Sequence, residues 1–349
     1  MSTSYRISGS YRRARSPSLG VGLIEVMISV AIAAFLVAGA LTIYSDSAKT
    51  YSVHEASSRL EENARYVYSV LEPDLRMASY WGLTKGSLGI SGAVAQTGAA
   101  AIALAGGAAT SCGTNFSVDL NTTVEGTNDG YTLGCAAYNS RPMPSADTIT
   151  VRRASFIATS VAAGTTGPLR ICSTRLSASL VNKASACTAA PAGIVRDLIV
   201  HAYYVDRDSS TTTGMPTLWR KSLNSVGGVA TFQDEEILPG VEDLQLQFGI
   251  DPTGTTGLVT QYVDPLTAAN LPATAQIVAV RVWVLLRSDV IETGFVDTRT
   301  YQYGNRSTAN GTVNSLTGTN AASKAYQPND NYRRLLMSRT VMIRNSLGT

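Results

Sequence analysis

Histidine is scarce in this chain of 349 residues, which contains only His54 and His201. The chain also lacks the H-E-x-x-H, G-x-S-x-G, G-x-G-x-x-G and Walker A motifs. These motifs supply zinc ligands, activated serines and phosphate-binding loops, so their absence argues against the commonest metalloenzyme, hydrolase and nucleotide-binding classes. We therefore expect no enzymatic activity and no cofactor, and we expect both histidines to be packed or solvated rather than catalytic.

Charged residues are also few, at 15% of the chain, and the net charge is +3. Four arginines with no acid beside them lie before Val21: Arg6, Arg12, Arg13 and Arg15. Without these four positive charges the net charge falls from +3 to −1, which leaves no field that would attract a phosphate backbone. The basic excess therefore indicates a targeting segment, and we expect no nucleic-acid partner.

The four cysteines include no C-x-x-C pair, which disfavours a zinc site in a chain with two histidines. Their even number favours disulfides in an oxidising compartment. Four cysteines allow three connectivities. We favour Cys112–Cys135 and Cys172–Cys187, because short loops close at lower entropic cost than crossed ones.

The run from Val21 to Ile43 contains one ionisable side chain, that of Glu25. As a helix it would span roughly 35 Å, enough to cross a hydrocarbon core of about 30 Å. The arginines before the run, against Asp46 and Glu55 after it, predict a cytoplasmic N-terminus and an exported remainder.

Glu25 is the informative exception in this run. A carboxylate in an apolar span costs on the order of 2.5–3.5 kcal/mol, so it usually has a partner or a function. Nothing close in the sequence can pair with it. A cut after Gly20 would create an amino group at Val21, and in a polymer that amine could neutralise Glu25 of a neighbouring copy.

The segment from Ser18 to Met27, SLGVGLIEVM, resembles the class III signal of type IV pilins and type II secretion pseudopilins. The resemblance implies that a prepilin peptidase cuts after Gly20, that Val21 becomes the methylated N-terminus, and that Glu25 guides assembly. Two positions depart from the family pattern, because Val21 stands where Phe is usual and Gly22 where a polar residue is usual. Cleavage in this family depends mainly on the glycine.

An ordinary secretory signal is the alternative interpretation of the same segment. Ala38-Gly39-Ala40 fits an A-x-A cleavage site behind an apolar region and a basic start. Cleavage there would release a secreted β-rich adhesin or enzyme that begins at Leu41. This alternative explains neither Glu25 nor the helical pattern that follows.

The helical pattern continues beyond the apolar run. Apolar residues recur at spacings of three and four: Val53, Ala56, Leu60, Ala64, Val67, Leu71, Leu75 and Ala78. This pattern predicts an amphipathic helix that packs its apolar stripe on a folded head. Pro73 is expected to kink or restart the helix, because proline lacks the N–H donor and crowds the preceding turn.

Beyond residue 80 the chain reads as β structure. Strands are predicted at 147–158, 168–172, 194–205, 216–223, 241–250, 276–287 and 332–344. Their separation by turn-rich loops favours an antiparallel sheet, so the fold class is α+β with one long N-terminal helix on an antiparallel head. The predicted parts are a leader at 1–20, a transmembrane half-helix at 21–44, an amphipathic half at 45–80 and a head at 81–349. Low-complexity loops are predicted at 86–115 and 304–331, the latter exposed and mobile.

Several head segments are similar to the PilW family of type IV pilus proteins: LEPDLRMASYWG, AYYVDRD, TLWRKSL, GVEDLQLQFGID, AVRVWVLLRS and RRLLMSRTVMIRN. The resemblance implies a minor pilin, anchored in the inner membrane with a periplasmic head and placed at or near the pilus tip after assembly. It implies as partners other minor pilins, the major pilin, the prepilin peptidase and the assembly platform. A minor pseudopilin of type II secretion, similar to the J-type subunit, is the near alternative, although its smaller head fits this length less well.

Other features have simpler interpretations. Asp206, Asp208, Asp251 and Asp264 could suggest calcium, but the spacing of a known calcium loop is missing and turns explain them. The C-terminal strand is rich in arginine and could contact DNA or an acidic partner, yet an exposed polar face is the commoner explanation. We expect its arginines on that face: Arg333, Arg334, Arg339 and Arg344. Trp219, Trp283 and Phe248 are predicted in the core or on the sheet surface.

Overall fold

The computed structural model describes residues 20–92, 112, 116–159, 166–183, 193–226, 229–265, 271–272 and 274–346. The chain divides into two compact units, Met1–His54 and Glu55–Thr349. Most of the predicted leader, and residues 93–111 and 113–115 of the first predicted loop, lie outside the described residues.

The helix α1 runs from Leu23 to Met77. From Leu23 to Ile43 its side chains are exposed and almost all apolar, with Phe35 86% exposed. By length and composition this part of α1 could cross a membrane. Sequence periodicity therefore predicted both the helix and its change from apolar to amphipathic character.

The second unit includes a β-rich head whose described strands run from 2 to 16 residues. Strands β1 to β7 are Ile90–Ser91, Val124–Thr127, Thr148–Ala158, Thr166–Ser173, Ala178–Lys183, Ile194–Asp206 and Thr217–Val226. Strands β8 to β14 are Val229–Pro239, Val241–Asp251, Gln261–Val263, Gln276–Ile291, Ser307–Val313, Lys324–Tyr326 and Tyr332–Met342. All seven strands predicted from the sequence are present.

Three sheets form from these strands. The largest has the order β1-β5-β4-β6-β3-β2, with β7 paired to β6 and β8 paired to β7. The second has the order β10-β9-β11-β14 and is antiparallel throughout. The pairs β1–β5 and β12–β13 are parallel, so the head is antiparallel in its main sheets but not in these two short pairings.

The second half of α1 packs on the head through one stripe of side chains. The buried members of this stripe are Leu60, Ala64, Val67, Tyr68, Leu71 and Leu75. They share a single apolar core with alternate residues of β9 and β11: Leu244, Leu246, Phe248, Val280, Val282 and Val284. The apolar side chains that repeat with the helical period in α1 therefore pack against those that repeat every second residue in the strands.

Tyr68 and Asp74 connect α1 to the two main sheets. The Tyr68 hydroxyl lies 3.0 Å from the Val282 carbonyl of β11 and 2.9 Å from the Met337 carbonyl of β14. Asp74 accepts hydrogen bonds from Arg153 of β3 at 2.7 Å and from Tyr203 of β6 at 2.5 Å.

His201 of β6 also contacts Asp74, with 2.5 Å between its Nδ1 and Oδ2 of the carboxylate. Burial raises the pKa of Asp74, but the hydrogen bond and charge of His201, the charge of Arg153 and the Tyr203 hydroxyl outweigh burial, so the pKa of Asp74 lies well below its usual range. Asp74 was not predicted as an anchor from the sequence. The sequence feature that could have indicated this role is an acidic residue within the apolar stripe, three positions after Leu71.

Of the two outcomes predicted for Pro73, a kink or a restart of the helix, the restart is wrong. Helix α1 continues through Pro73 to Met77. Proline removes a helical hydrogen bond, but near the end of a helix few bonds follow it. Asp74 and Leu75 are buried against the head directly after it, and these contacts stabilise the last turn.

The segment 304–331 is more ordered than predicted. It contains β12 and β13, and although β12 is mostly exposed, Leu316, Ala321, Ala325 and Tyr326 are buried. Arg306 is buried and donates to Asp243 Oδ2 at 2.6 Å, to the Ala321 carbonyl at 3.0 Å and to the Ser145 carbonyl at 2.7 Å. One arginine thus connects the polar segment to the core of the head.

The prediction of an exposed arginine face on the C-terminal strand is wrong for Arg334, which is buried on β14. It pairs with Glu242 at 2.5 Å and with Asp330 at 2.6 Å. Arg333 pairs with Glu292, and Arg339 pairs with Glu72 of α1. Most of these acidic residues are distant in sequence from β14. The lack of acids within the strand itself therefore did not indicate that its arginines are unpaired.

Replacement of Tyr68 by Phe should lower the free energy of unfolding by about 1 kcal/mol, because a buried hydroxyl bond to the sheet is lost while the ring remains. Urea unfolding of the full chain in detergent measures this change. Tyr66→Phe is the matched control, since Tyr66 lies on the same helix with 49% of its surface exposed. Equal effects of the two substitutions would contradict the anchoring role of the Tyr68 hydroxyl.

Replacement of Asp74 by Asn should cost roughly 3 kcal/mol at neutral pH, because the buried carboxylate is lost and Arg153, whose side chain is 12% exposed, loses its counter-charge. A carboxyl with a lowered native pKa stabilises the fold above its unfolded pKa of about 3.9, and this contribution disappears as pH falls towards the native pKa. The difference between the two proteins should therefore be full at pH 6–7 and shrink below about pH 4.

Glu72→Gln is the control for this pH series, because the Glu72–Arg339 pair lies at the surface and exposed pairs contribute about 0–1 kcal/mol. A difference between wild type and Asp74→Asn that does not change with pH would contradict the role of the Asp74 charge.

Candidate functional site

The predicted processing and assembly residues lie together at the start of α1. Gly20 and Val21 precede the helix in irregular backbone. The first turn closes where the Glu25 and Val26 N–H groups donate to the Gly22 carbonyl at 3.0 and 3.2 Å. Glu25 therefore lies on the first helical turn, close to the free N–H groups of the helix start, where a negative charge is favourable.

The surroundings of Glu25 are apolar and exposed. Val21, Leu23, Ile24, Met27 and Ile28 all have more than half of their surface accessible. Among the described residues, the Glu25 carboxylate has no hydrogen-bond donor and no basic side chain as a partner. The structure thus presents a carboxylate on an apolar helical surface without compensation inside the described chain.

Glycine is not required by the fold at the predicted cleavage point. A Cβ atom added at Gly20 or at Gly22 would meet no atom within 4 Å. Neither residue has a positive φ that would need glycine. A preference for glycine at these positions would therefore have to come from a molecule that binds this segment.

Two of the four cysteines form a described disulfide, Cys112–Cys135, with their Cα atoms 4.2 Å apart. This is the local pairing that the loop-entropy argument favoured. Cys172 is also disulfide-bonded. The predicted Cys172–Cys187 pairing involves Cys187, which lies outside the described residues.

Three of the four aspartates considered for calcium, Asp206, Asp208 and Asp251, accept hydrogen bonds within the head. Asp208 pairs with Arg141 at 2.8 Å, and burial raises the pKa of Asp206 to about 6. Asp251 accepts bonds from Thr253, Thr256 and the Gly257 N–H, which close the turn after β9. Within the described ranges no three His, Cys, Asp or Glu side chains lie close enough together to hold a metal ion.

The aromatic residues lie where the sequence predicted. Phe248 and Trp219 are buried, and Trp283 packs against the main core from the surface of its sheet. His201 is packed against Asp74 rather than exposed as a catalytic group.

Comparison with known proteins bears on the C-terminal part of the chain. Residues 202–345 match the model of the family PilW, described as type IV pilus-assembly protein W. The match includes β7 to β14 and most of the segments that carried the sequence resemblance.

A type IV-like pilin from Thermus thermophilus is similar in structure, with a TM-score of 0.28 and 13% sequence identity. The alignment covers 58% of this chain and 80% of that pilin. No curated protein sequence matches the chain. The fold predicted from the sequence, a long apolar N-terminal helix followed by antiparallel sheets, is present, and the resemblance to the PilW family of type IV pilus-assembly proteins is confirmed over residues 202–345.

Proposed function

We propose that this chain is a minor pilin that acts in the assembly or initiation of a type IV pilus. One observation carries the proposal: Glu25, without a partner among the described residues, lies on an exposed apolar helix, in a chain whose head matches a pilus-assembly family. Its role is structural, and the chain has no enzymatic activity of its own.

In this proposal a prepilin peptidase cuts after Gly20, and the new N-terminus at Val21 is methylated. The apolar half of α1 anchors the protein in the inner membrane with its head in the periplasm. The Glu25 carboxylate then pairs with the N-terminal amine of a neighbouring pilin, which removes the cost of an unpaired charge in an apolar environment.

The partners follow from the same step. The apolar surface of α1 would contact the helices of other minor pilins and of the major pilin, and the assembly platform would extract it from lipid. The head would supply lateral contacts at or near the tip of the fibre. Assembly thus exchanges lipid for protein around the helix, while the charge pair sets the axial register between subunits.

Glu25→Gln should reduce incorporation into pili by at least about tenfold, because a neutral amide cannot compensate the neighbouring amine. The measurement is immunoblotting of sheared pili against membranes in a strain that lacks the native gene. Glu61→Gln is the matched control, because Glu61 is an exposed glutamate on the same helix outside the apolar run.

Mass spectrometry of the mature N-terminus separates processing from assembly. Both variants and the wild type should begin at methylated Val21, so that only incorporation differs among them. Normal incorporation of Glu25→Gln would contradict the assembly role. A mature wild-type protein that begins at Leu41 would contradict the pilin assignment itself.

A further inference from the structure

A cleft of about 400 Å³ opens on the head where the connection from β2 to β3 meets the end of β6. Its lining consists of Gly130, Tyr131, Ser140, Arg141, Pro142, Pro144 and Arg207. Two arginines from distant parts of the sequence therefore line one cleft, which we name the Arg141–Arg207 cleft. Its volume lies in the range of sites for small molecules.

Arg141 uses only one edge of its guanidinium within the described chain. Its Nη1 lies 3.1 and 2.8 Å from the two carboxylate oxygens of Asp208. Asp208 itself is fixed, because it accepts from the Gly214 N–H at 2.7 Å and is almost fully buried. Asp208 thus fixes the orientation of the Arg141 side chain, and the remaining N–H groups of Arg141 can bind an acceptor.

Arg207 has an unsatisfied donor. Its Nη2 donates to the Thr317 carbonyl at 2.8 Å, but its buried Nε has no hydrogen-bond partner among the described residues. A buried N–H without an acceptor costs about 1–3 kcal/mol, so such groups are uncommon and often indicate an absent partner. Arg207 therefore has one donor that no acceptor within the described residues satisfies.

The loop that carries Tyr131 and Arg141 is rigid by its contacts. Tyr138 stacks on Trp219 with 3.9 Å between ring centroids, and Tyr131 packs edge-on against Tyr204 at 5.0 Å. The Tyr131 hydroxyl donates to the Cys135 carbonyl at 2.7 Å, next to the disulfide. A site whose side chains are already fixed loses little entropy when a ligand binds.

The backbone beside Arg141 supports the same conclusion. Asn139 and Ser140 both have left-handed φ angles, 47° and 55°. Two successive non-glycine residues in this region cost of order 1–3 kcal/mol each, and such strain concentrates at functional sites. The turn delivers Ser140, Arg141 and Pro142 to the wall of the cleft.

Asp208 compensates Arg141, whereas Arg207 has no acidic side chain within ion-pair distance among the described residues. The planar fork of a guanidinium matches a carboxylate, which can accept two parallel hydrogen bonds. Pro142, Pro144 and the ring of Tyr131 add apolar surface suited to the face of a small ring.

We propose that the Arg141–Arg207 cleft binds a small ligand of about the size of one sugar ring that carries a carboxylate. Arg207 and the free edge of Arg141 bind the carboxylate, and the prolines and Tyr131 contact the ring. This function goes beyond pilus assembly, and the cleft contains none of the residues proposed for processing or docking.

The test is a ligand-observed NMR titration of the full chain, in a detergent without sugar headgroups, with glucuronate as the probe. Glucuronamide has the same shape without the charge and should bind at least about tenfold more weakly, as a charged hydrogen bond is lost. Arg207→Gln and Arg141→Gln should weaken glucuronate binding by a similar factor. Arg344→Gln, at an exposed arginine on another part of the head, should leave binding unchanged.

Thermal unfolding of each variant separates lost binding from lost folding. Arg141→Gln needs this control because Arg141 also pairs with Asp208, whereas Arg207→Gln removes only one surface contact. No binding of glucuronate, equal binding of glucuronamide, or wild-type affinity in the folded Arg207→Gln variant would overturn the proposal. Tighter binding of inorganic phosphate than of glucuronate would overturn the carboxylate assignment.

Discussion

A single carboxylate on an apolar helical surface is the constraint on which the proposed function depends. Glu25 is the only ionisable residue between Val21 and Ile43, and a carboxylate in lipid costs on the order of 2.5–3.5 kcal/mol. The described chain supplies no compensating group. In the proposed function, the compensating charge is the N-terminal amine that cleavage after Gly20 would create on a neighbouring subunit.

Helix α1 carries a second carboxylate whose situation is the reverse. Asp74 is buried in the head, and Arg153, His201 and Tyr203 of the large sheet surround it. Its charge is satisfied within the chain, so it stabilises the fold instead of recruiting a partner. The same distinction applies to arginines. Arg306 and Arg334 are paired with acids inside the head, whereas Arg207, a lining residue of the cleft, has no ion pair and one unsatisfied donor among the described residues. Unpaired charge, rather than charge itself, marks the sites that we assign to partners.

Periodicity made the helix and seven strands predictable, because their apolar side chains repeat with the period of a helix or of a strand and face one core. Strand β8 has no such repeat. It contains Asp234 and Glu235, which are stabilised by Lys221 and Arg220 directly opposite on β7, and a cross-strand pair leaves no local signal. The order in segment 304–331 was hidden for the same reason, since it depends on a bond from Arg306 to Asp243, a residue far earlier in the chain. The residues of the N-terminal motif are adjacent in sequence, so the motif around Glu25 could be found from the sequence alone. The cleft joins residues from separate loops, so it could not be predicted from the sequence.

Zero-length carbodiimide coupling in native membranes and sheared pili tests the central pairing most directly, because it joins only carboxylates and amines that are in contact. The pair of Lys221 and Asp234, 2.7 Å apart and partly exposed at the carboxylate, serves as an internal control for the reagent. The pairing predicts a peptide in which the Glu25 carboxyl is bonded to the N-terminal amine of another pilin subunit. Recovery of the control product together with only uncoupled Glu25 peptide, in pili that contain the protein, would contradict it.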